Sequence, residues 1–365
     1  MNIEKQNPVD RWLLLFALLL MVFGVAWVYS ATGIRHENTF FIRQCVSGFI
    51  GIALMLAFSH LDISRFLSSH KLMRGTYVIF IFLLIAVFFS PTRNGAHRWI
   101  IISGFSLQPS EFFKPFSVIW TSWLMYRHRE SWTKRREAIP KLVILFLSLL
   151  LPMTLIYMEP DMGTTILILF VSLLVIFLGS APRWVFVFGL PVLVIVGSLI
   201  VVSKEYRYER IKAFFNPASV DLSGTGYQAE QSLIAFGNGG VLGVGPAAGQ
   251  QKLSFLPEAH TDFIYAIIGE ELGLLGTSVV WLLFAGFLWR GCRIALACRD
   301  PFLRLCAGGF TILIVSQALI NMSVVLNLAP NTGIPLPFVS YGGSSLMATL
   351  VCLGLLLSIS RKAVP

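Results

Sequence analysis

The chain has 365 residues, 56% of them apolar and only 13% charged, and carries a formal net charge of +10. Soluble domains carry roughly 25% charged and about 45–50% apolar residues, so a water-soluble enzyme of this size is excluded and the apolar excess belongs in lipid. The five cysteines, Cys45, Cys292, Cys298, Cys306 and Cys352, are odd in number and lack CxxC or CxxH spacing, which makes them small hydrophobes rather than a metal or redox site.

A bilayer core of about 30 Å takes about 20 apolar helical residues and excludes open loops and sheet edges. Ten segments meet that requirement, near Trp12 to Tyr29, Gln44 to Phe58, Leu72 to Phe89, Phe112 to Tyr126, Leu142 to Tyr157, Thr164 to Leu178, Trp184 to Val202, Phe263 to Trp289, Phe302 to Leu326 and Leu346 to Ser358. The first follows a short basic stretch like a secretory signal, but it ends in no small-x-small site and nine more spans follow, so it reads as a membrane helix. The predicted fold is an all-α polytopic membrane protein, one domain over residues 1–365. A large extracytoplasmic loop, 203–261, separates helices seven and eight.

With both termini cytoplasmic, 18 Lys and Arg residues fall on the inner side and nine on the outer, with Lys114 inside a span. This asymmetry fixes the orientation. The cluster from Arg127 to Lys141 is then a topology determinant that meets anionic lipid, not a nucleic-acid surface.

Ionisable groups near a membrane are functional candidates, and here they gather in four outer segments. In the first, Arg98 and Trp99 precede Gln108-Pro-Ser-Glu-Phe-Phe-Lys114, where Glu111 and Lys114 are helical neighbours. They form either an internal ion pair or an anion site at Lys114 tuned by Glu111. The second is Glu159-Pro-Asp161-Met-Gly-Thr, in which Asp161 caps the next helix, with metal binding the alternative. The third holds Arg207, Arg210 and Lys212, then a glycine-rich run through Gly249. Its GxGxxxG spacing, with no strand expected, is neither a P-loop nor a dinucleotide fingerprint, and it reads as a flexible or re-entrant loop.

The fourth segment runs from Gln251 and Lys252 through Glu258, His260 and Thr261 to Asp262. Thr261 is predicted to cap the eighth span, placing Asp262 in its first turn, where the helix dipole favours the charged form a base requires. Below Asp262, Ala266, Gly269 and Gly273 form a small-residue stripe, either a helix-packing surface or a groove for a lipid chain. Glu270 and Glu271 lie deeper, where burial favours neutral or paired forms. Last, Asn331 to Ser345 holds Pro335, Pro337, Ser340 and Gly342-Gly343 and reads as a broken turn at the mouth of the bundle.

At these residues the chain resembles the SEDS family of bacterial cell-wall proteins, which includes FtsW, RodA and SpoVE. The resemblance spans nearly the whole length and rests on GAHRW, QPSEFFK, EPDMGT, GYQAEQSLIAFGNGG, FLPEAHTDFIYAIIGEELG and NTGIPLPFVSYGGSS. The PEAHTDFI and AIIGEELG wording is closer to FtsW-type than to RodA-type members. The resemblance implies a peptidoglycan glycosyltransferase that polymerises lipid II, working with a class B penicillin-binding protein as transpeptidase, alongside other divisome or elongasome membrane proteins. It carries the family's essential aspartate onto Asp262, and its basic cavity positions onto Arg98, Lys114, Arg210, Lys212 and Lys252.

Joining two lipid-linked sugars requires a hydroxyl to displace pyrophosphate from an anomeric carbon, and a carboxylate base can contribute roughly 10²–10⁴ in rate. Asp262 is the candidate base, the outer cations are candidates for stabilising the pyrophosphate, and Trp99, Glu111, Glu258, His260 and Ser340 are supporting candidates. A divalent cation, Mg²⁺ or Mn²⁺, is expected, with Glu258, His260 and Asp262 as candidate ligands, and no organic cofactor. The alternatives are a lipid II flippase, which needs polar groups near mid-membrane, or a non-catalytic scaffold for a penicillin-binding protein.

Overall fold

The computed structural model describes residues 8–33, 38–92, 96–102, 105–182, 184–187, 214, 225–253 and 255–363. Eleven α-helices lie among them: α1 (Arg11–Gly33), α2 (Asn38–Ser59), α3 (Ser64–Ser68), α4 (His70–Ala86), α5 (Pro109–Arg127), α6 (Arg135–Met158), α7 (Met162–Leu178), α8 (Thr225–Gly239), α9 (Ile264–Ala297), α10 (Pro301–Val325) and α11 (Gly343–Ser360). Each predicted span is one of these helices except that near Trp184 to Val202, which lies mostly outside the described residues. Among the described residues, seven helices are long and apolar enough to cross a membrane, and α7 is a shorter apolar helix.

The remaining helix among the predicted spans, α5, carries Glu111 and Lys114 and is buried along nearly its whole length. Protein rather than lipid surrounds it, so its polar groups can be satisfied by neighbouring helices. Burial sorts the other helices in the same way. The apolar window of α11 is 89% buried and that of α10 72%, against 17% for α4, so α5, α10 and α11 form the centre and α4 lies outside. α2 packs along α11, while α9 runs between α1 and α10.

Capping residues set several helix starts. Asp161 accepts from the Thr164 amide at 3.1 Å at the head of α7, and Asp300 from the Phe302 amide at 2.8 Å at the head of α10. Pro109 and Pro301 occupy first-turn positions, where the missing N–H has no helical partner to lose.

The start of α1 and the end of α11 meet at one end of the bundle. The Asp10 amide donates to Ser360 Oγ at 3.1 Å, and Arg290 of α9 pairs with the Asp10 carboxylate. Arg98, Glu159 and Asp262 lie at the opposite ends of their helices or in adjoining loops.

Three features differ from the sequence expectation. A two-stranded antiparallel hairpin forms, β1 (Ile100–Ile102) with β2 (Phe105–Leu107), pairing Ile100 with Leu107 and Ile102 with Phe105. The predicted loop 203–261 contains α8, which packs against α9 and α10. α9 itself is broken at Gly273, whose φ of 64° and ψ of −157° leave the helical region.

That break is bridged by the chain after α8. Leu274 and Leu275 donate to the Gly240 and Val241 carbonyls at 2.9 and 3.2 Å, while Val244 and Gly245 donate to the Glu270 and Glu271 carbonyls, both at 3.0 Å. The backbone groups that the kink frees are thus paired, as depth in a membrane demands. No room exists for a Cβ at Gly239, against the Gly269 carbonyl, or at Gly269, against the Phe236 ring. The small-residue stripe below Asp262 is therefore a packing surface for α8, not an open groove.

Candidate active site

Asp262 is partly exposed at the head of α9. Thr261 does not cap that helix. Its hydroxyl donates within its own turn, to the Glu258 carbonyl at 3.0 Å and carboxylate at 3.1 Å, and the N-cap position falls on Phe263. Asp262 thus precedes the cap by one residue rather than occupying the first turn, and still lies near the positive end of the helix.

Asn321 and Gly333 lie against Asp262. Asn321 of α10, only 2% exposed, donates through its side-chain amide to the carbonyls of Asp262 and Ile334, each at 2.8 Å. The Asp262 carboxylate lies beside Gly333, where an added Cβ would sit 3.6 Å from Oδ2. Gly333 has a φ of +70°, which suits glycine.

The loop segment from Thr332 to Ile334 links Asp262 to the Glu159–Thr164 turn. Gly163 has no space for a side chain, since its Cβ would lie 2.5 Å from the Thr332 carbonyl oxygen and 2.8 Å from Ile334 Cγ1. In that turn Asp161 also accepts from Gln108 Nε2 at 3.0 Å, and the Gln108 amide donates to Ser344 Oγ at 3.0 Å. Arg98 donates from Nε to the Glu159 carbonyl at 2.9 Å and from Nη2 to the Pro160 carbonyl. Asn331 reaches α8, donating to Gln228 Oε1 at 2.9 Å. Segments that are remote in sequence therefore converge at one end of the bundle.

The Glu159 side chain is wholly buried, and neither carboxyl oxygen has a hydrogen-bond partner among the described residues. Burial and the adjacent Asp161 push this carboxyl up to about 8, with Arg98 opposing.

Two of the expected cations turn inward. Lys114 pairs with Glu111 at 2.7 Å and donates to Gln317 Oε1 at 2.9 Å, while Gln317 Nε2 donates to the Pro335 carbonyl. The internal ion pair is the form observed. Lys252 pairs with Glu271 at 2.6 Å and donates to Ser30 Oγ at 3.0 Å, and both charged side chains are buried. Glu270 accepts the amides of Gln250 and Gln251 at 2.9 and 3.1 Å. Arg98 is partly exposed, as is Trp99. Arg210 and Lys212 lie outside the described residues.

The proposed metal trio is not assembled. Among the described residues no three of His, Cys, Asp and Glu gather as a metal-holding group. The reason is local: the Glu258 carboxylate accepts from Thr261, the His260 ring packs at 4.7 Å from Phe40 and 5.5 Å from Tyr341, and Asp262 faces Gly333. Beneath this turn is a cavity of about 220 Å³ lined by Thr32, Phe40, Lys252, Glu258 and His260. Ser340 is structural in its contacts, its Oγ accepting from the Leu336 amide at 2.8 Å and its carbonyl accepting from Gln44 Nε2 at 3.1 Å.

Asn321, Gln317 and Gln44 were not singled out from the sequence, although each is an amide side chain within an otherwise apolar helix. In lipid such a group needs an internal partner, and that is the signal that would have pointed to them.

The family model for the cell cycle proteins FtsW, RodA and SpoVE matches residues 9–364. The chain belongs to this family. It is 36% identical over 370 residues to a probable peptidoglycan glycosyltransferase FtsW of Geobacter sulfurreducens, covering 99% of this chain and 98% of that one. It is 38% identical over 372 residues to stage V sporulation protein E of Bacillus subtilis, covering 99% of each. Among solved structures, a chain of a peptidoglycan synthase complex, studied for its coordination of polymerization and crosslinking, superposes with a TM-score of 0.79 at 25% identity, over 97% of this chain and 98% of that one. Membership in the FtsW/RodA/SpoVE family matches the resemblance read from the motifs.

Proposed function

We propose that this chain is a peptidoglycan glycosyltransferase that polymerises lipid II at the outer face of the bacterial cytoplasmic membrane, for cell division or cell-shape wall synthesis. Ten spans, both termini cytoplasmic and loop 203–261 outside complete the proposed topology. The observation that carries the reading is Asp262, a partly exposed carboxylate at the head of α9, held by Asn321 and adjoining the loop that leads to Arg98. The names of the Geobacter and synthase-complex relatives support the same chemistry.

Asp262 takes the proton from the attacking sugar hydroxyl. The hydroxyl oxygen bonds to the donor's anomeric carbon, the bond from that carbon to the pyrophosphate oxygen breaks, and the electron pair leaves with the polyprenyl pyrophosphate. Attack opposite an α-linked leaving group gives a β-linked glycan. Arg98 is the described cation suited to the pyrophosphate, because Lys114 and Lys252 already neutralise internal carboxylates. A divalent cation is proposed only as a companion of the substrate's pyrophosphate, since the candidate trio does not gather to hold it.

A class B penicillin-binding protein is the proposed partner, with other divisome or elongasome membrane proteins, and lipid II and an undecaprenyl-linked nascent glycan are the proposed substrates. The flippase alternative relied on Glu270 and Glu271, and both are engaged by internal donors. The test is reconstitution of purified protein with lipid II, a divalent cation and the penicillin-binding partner. Glycan chains are expected. Movement of lipid II between leaflets without glycan would make the protein a flippase.

A further inference from the structure

The Glu159–Asp161 turn contains an acid that the proposed reaction does not use directly. Glu159 lies between α6 and α7, wholly buried, with both carboxyl oxygens lacking a hydrogen-bond donor among the described residues. A buried carboxylate in that state is strongly disfavoured, whereas a buried neutral acid is tolerated. The charged side chains acting on it are Asp161, from its own turn, and Arg98, from the segment before β1. Asp161 is occupied by the Thr164 amide and Gln108.

Arg98 supplies the deciding geometry. A guanidinium beside an ionised carboxylate forms a charge-assisted pair with it. Here Arg98 donates instead to the main-chain carbonyls of Glu159 and Pro160, and no ion pair joins it to the Glu159 side chain among the described residues. With Glu159 neutral, the charges of Arg98, Glu159 and Asp161 sum to zero. With Glu159 ionised they sum to minus one, which repels an anionic substrate.

We propose that Glu159 is a positioning residue for glycosyl transfer, held as a neutral acid so that the Arg98 guanidinium remains open to the pyrophosphate of the substrate. The role of Arg98 rests on the glycosyltransferase reading; the neutral state of Glu159 does not. A carboxyl raised to about 8 from an ordinary value of 4.5 binds more protons in the folded than in the unfolded chain between those values. The stability it contributes is therefore complete below about pH 4.5 and is lost as pH rises to about 8.

The test is Glu159→Gln, the neutral isostere, with two readouts. In thermal unfolding, the wild type is expected to lose stability as pH rises from 5 to about 8, and E159Q to lack that component of the slope. In polymerisation, only the neutral form binds well, so the wild-type KM for lipid II rises on the order of tenfold between about pH 7 and about pH 9, while the KM of E159Q lacks that rise. Identical unfolding slopes in the two proteins would overturn the neutral acid, as would an E159Q that fails to fold at pH 7. A folded E159Q with a raised KM at pH 7 would overturn its link to Arg98. Should E159Q lose the slope while wild type with its partner makes no glycan, the neutral acid stands and the glycosyltransferase reading falls.

Discussion

Asn321 donates its side-chain amide to the Asp262 carbonyl at 2.8 Å and, through the same nitrogen, to the Ile334 carbonyl at 2.8 Å. One buried amide thus ties the head of α9 to the 331–334 loop that flanks the Asp262 carboxylate. Replacing Asn321 by Leu keeps the volume and removes both donors. We expect a loss of roughly 1–3 kcal/mol in stability from the two orphaned carbonyls. Polymerisation per folded molecule should drop at least about tenfold because Asp262 loses its fixed position. Full activity of purified, folded N321L would show that the Asp262 main chain needs no such anchor.

The Glu111–Lys114 pair predicts a pattern of rescue. Lys114→Met strands a buried carboxylate and should destabilise the protein by about 3–5 kcal/mol, whereas Glu111→Gln together with Lys114→Met should recover most of that loss. Scanning fluorimetry on the three proteins reads the difference directly. If the double variant is as unstable as the single one, the two side chains are not acting as a pair.

Two glycines on different helices provide a matched comparison. Gly239 of α8 lies against the Gly269 and Glu270 backbone, while Gly75 of α4 has nothing within 4 Å of an added Cβ. Gly239→Ala should push α8 from α9 and abolish activity, and Gly75→Ala should be neutral or stabilise by up to about 1 kcal/mol. Normal activity and melting temperature for G239A would contradict the close α8–α9 packing.

The membrane helices were legible in the sequence because lipid leaves the chain few options: apolar runs of sufficient length form helices. Their ends were less so. α2 begins at Asn38 instead of near Gln44, and α9 continues to Ala297 beyond Trp289, because a helix can extend past its apolar stretch. The Gly273 break was hidden because the apolar span from Phe263 to Trp289 reads as one helix across it, Glu270 and Glu271 notwithstanding. Its sequence trace lies elsewhere, in the glycines at 239, 240, 243 and 245 that bring the chain close enough to pair with it. At the site, Asp161 as a cap follows from local spacing, since a helix start is a short-range feature. Thr261 shows the limit of that argument: Glu258, at a φ of +54°, starts a separate turn that takes the Thr261 hydroxyl. The meeting of Asp262 with Asn321 depends on how α9 packs on α10, which no local pattern contains.

Asp262 as the proton acceptor is the central claim. Its direct test is Asp262→Asn, which keeps the shape and hydrogen-bonding capacity of the side chain and removes its basicity. The purified variant, assembled with its penicillin-binding partner and lipid II, should match the wild type in melting temperature and partner binding while its initial rate of glycan formation falls by roughly 10²–10⁴. A variant that elongates glycan at the wild-type rate would contradict the assignment of that carboxylate as the base.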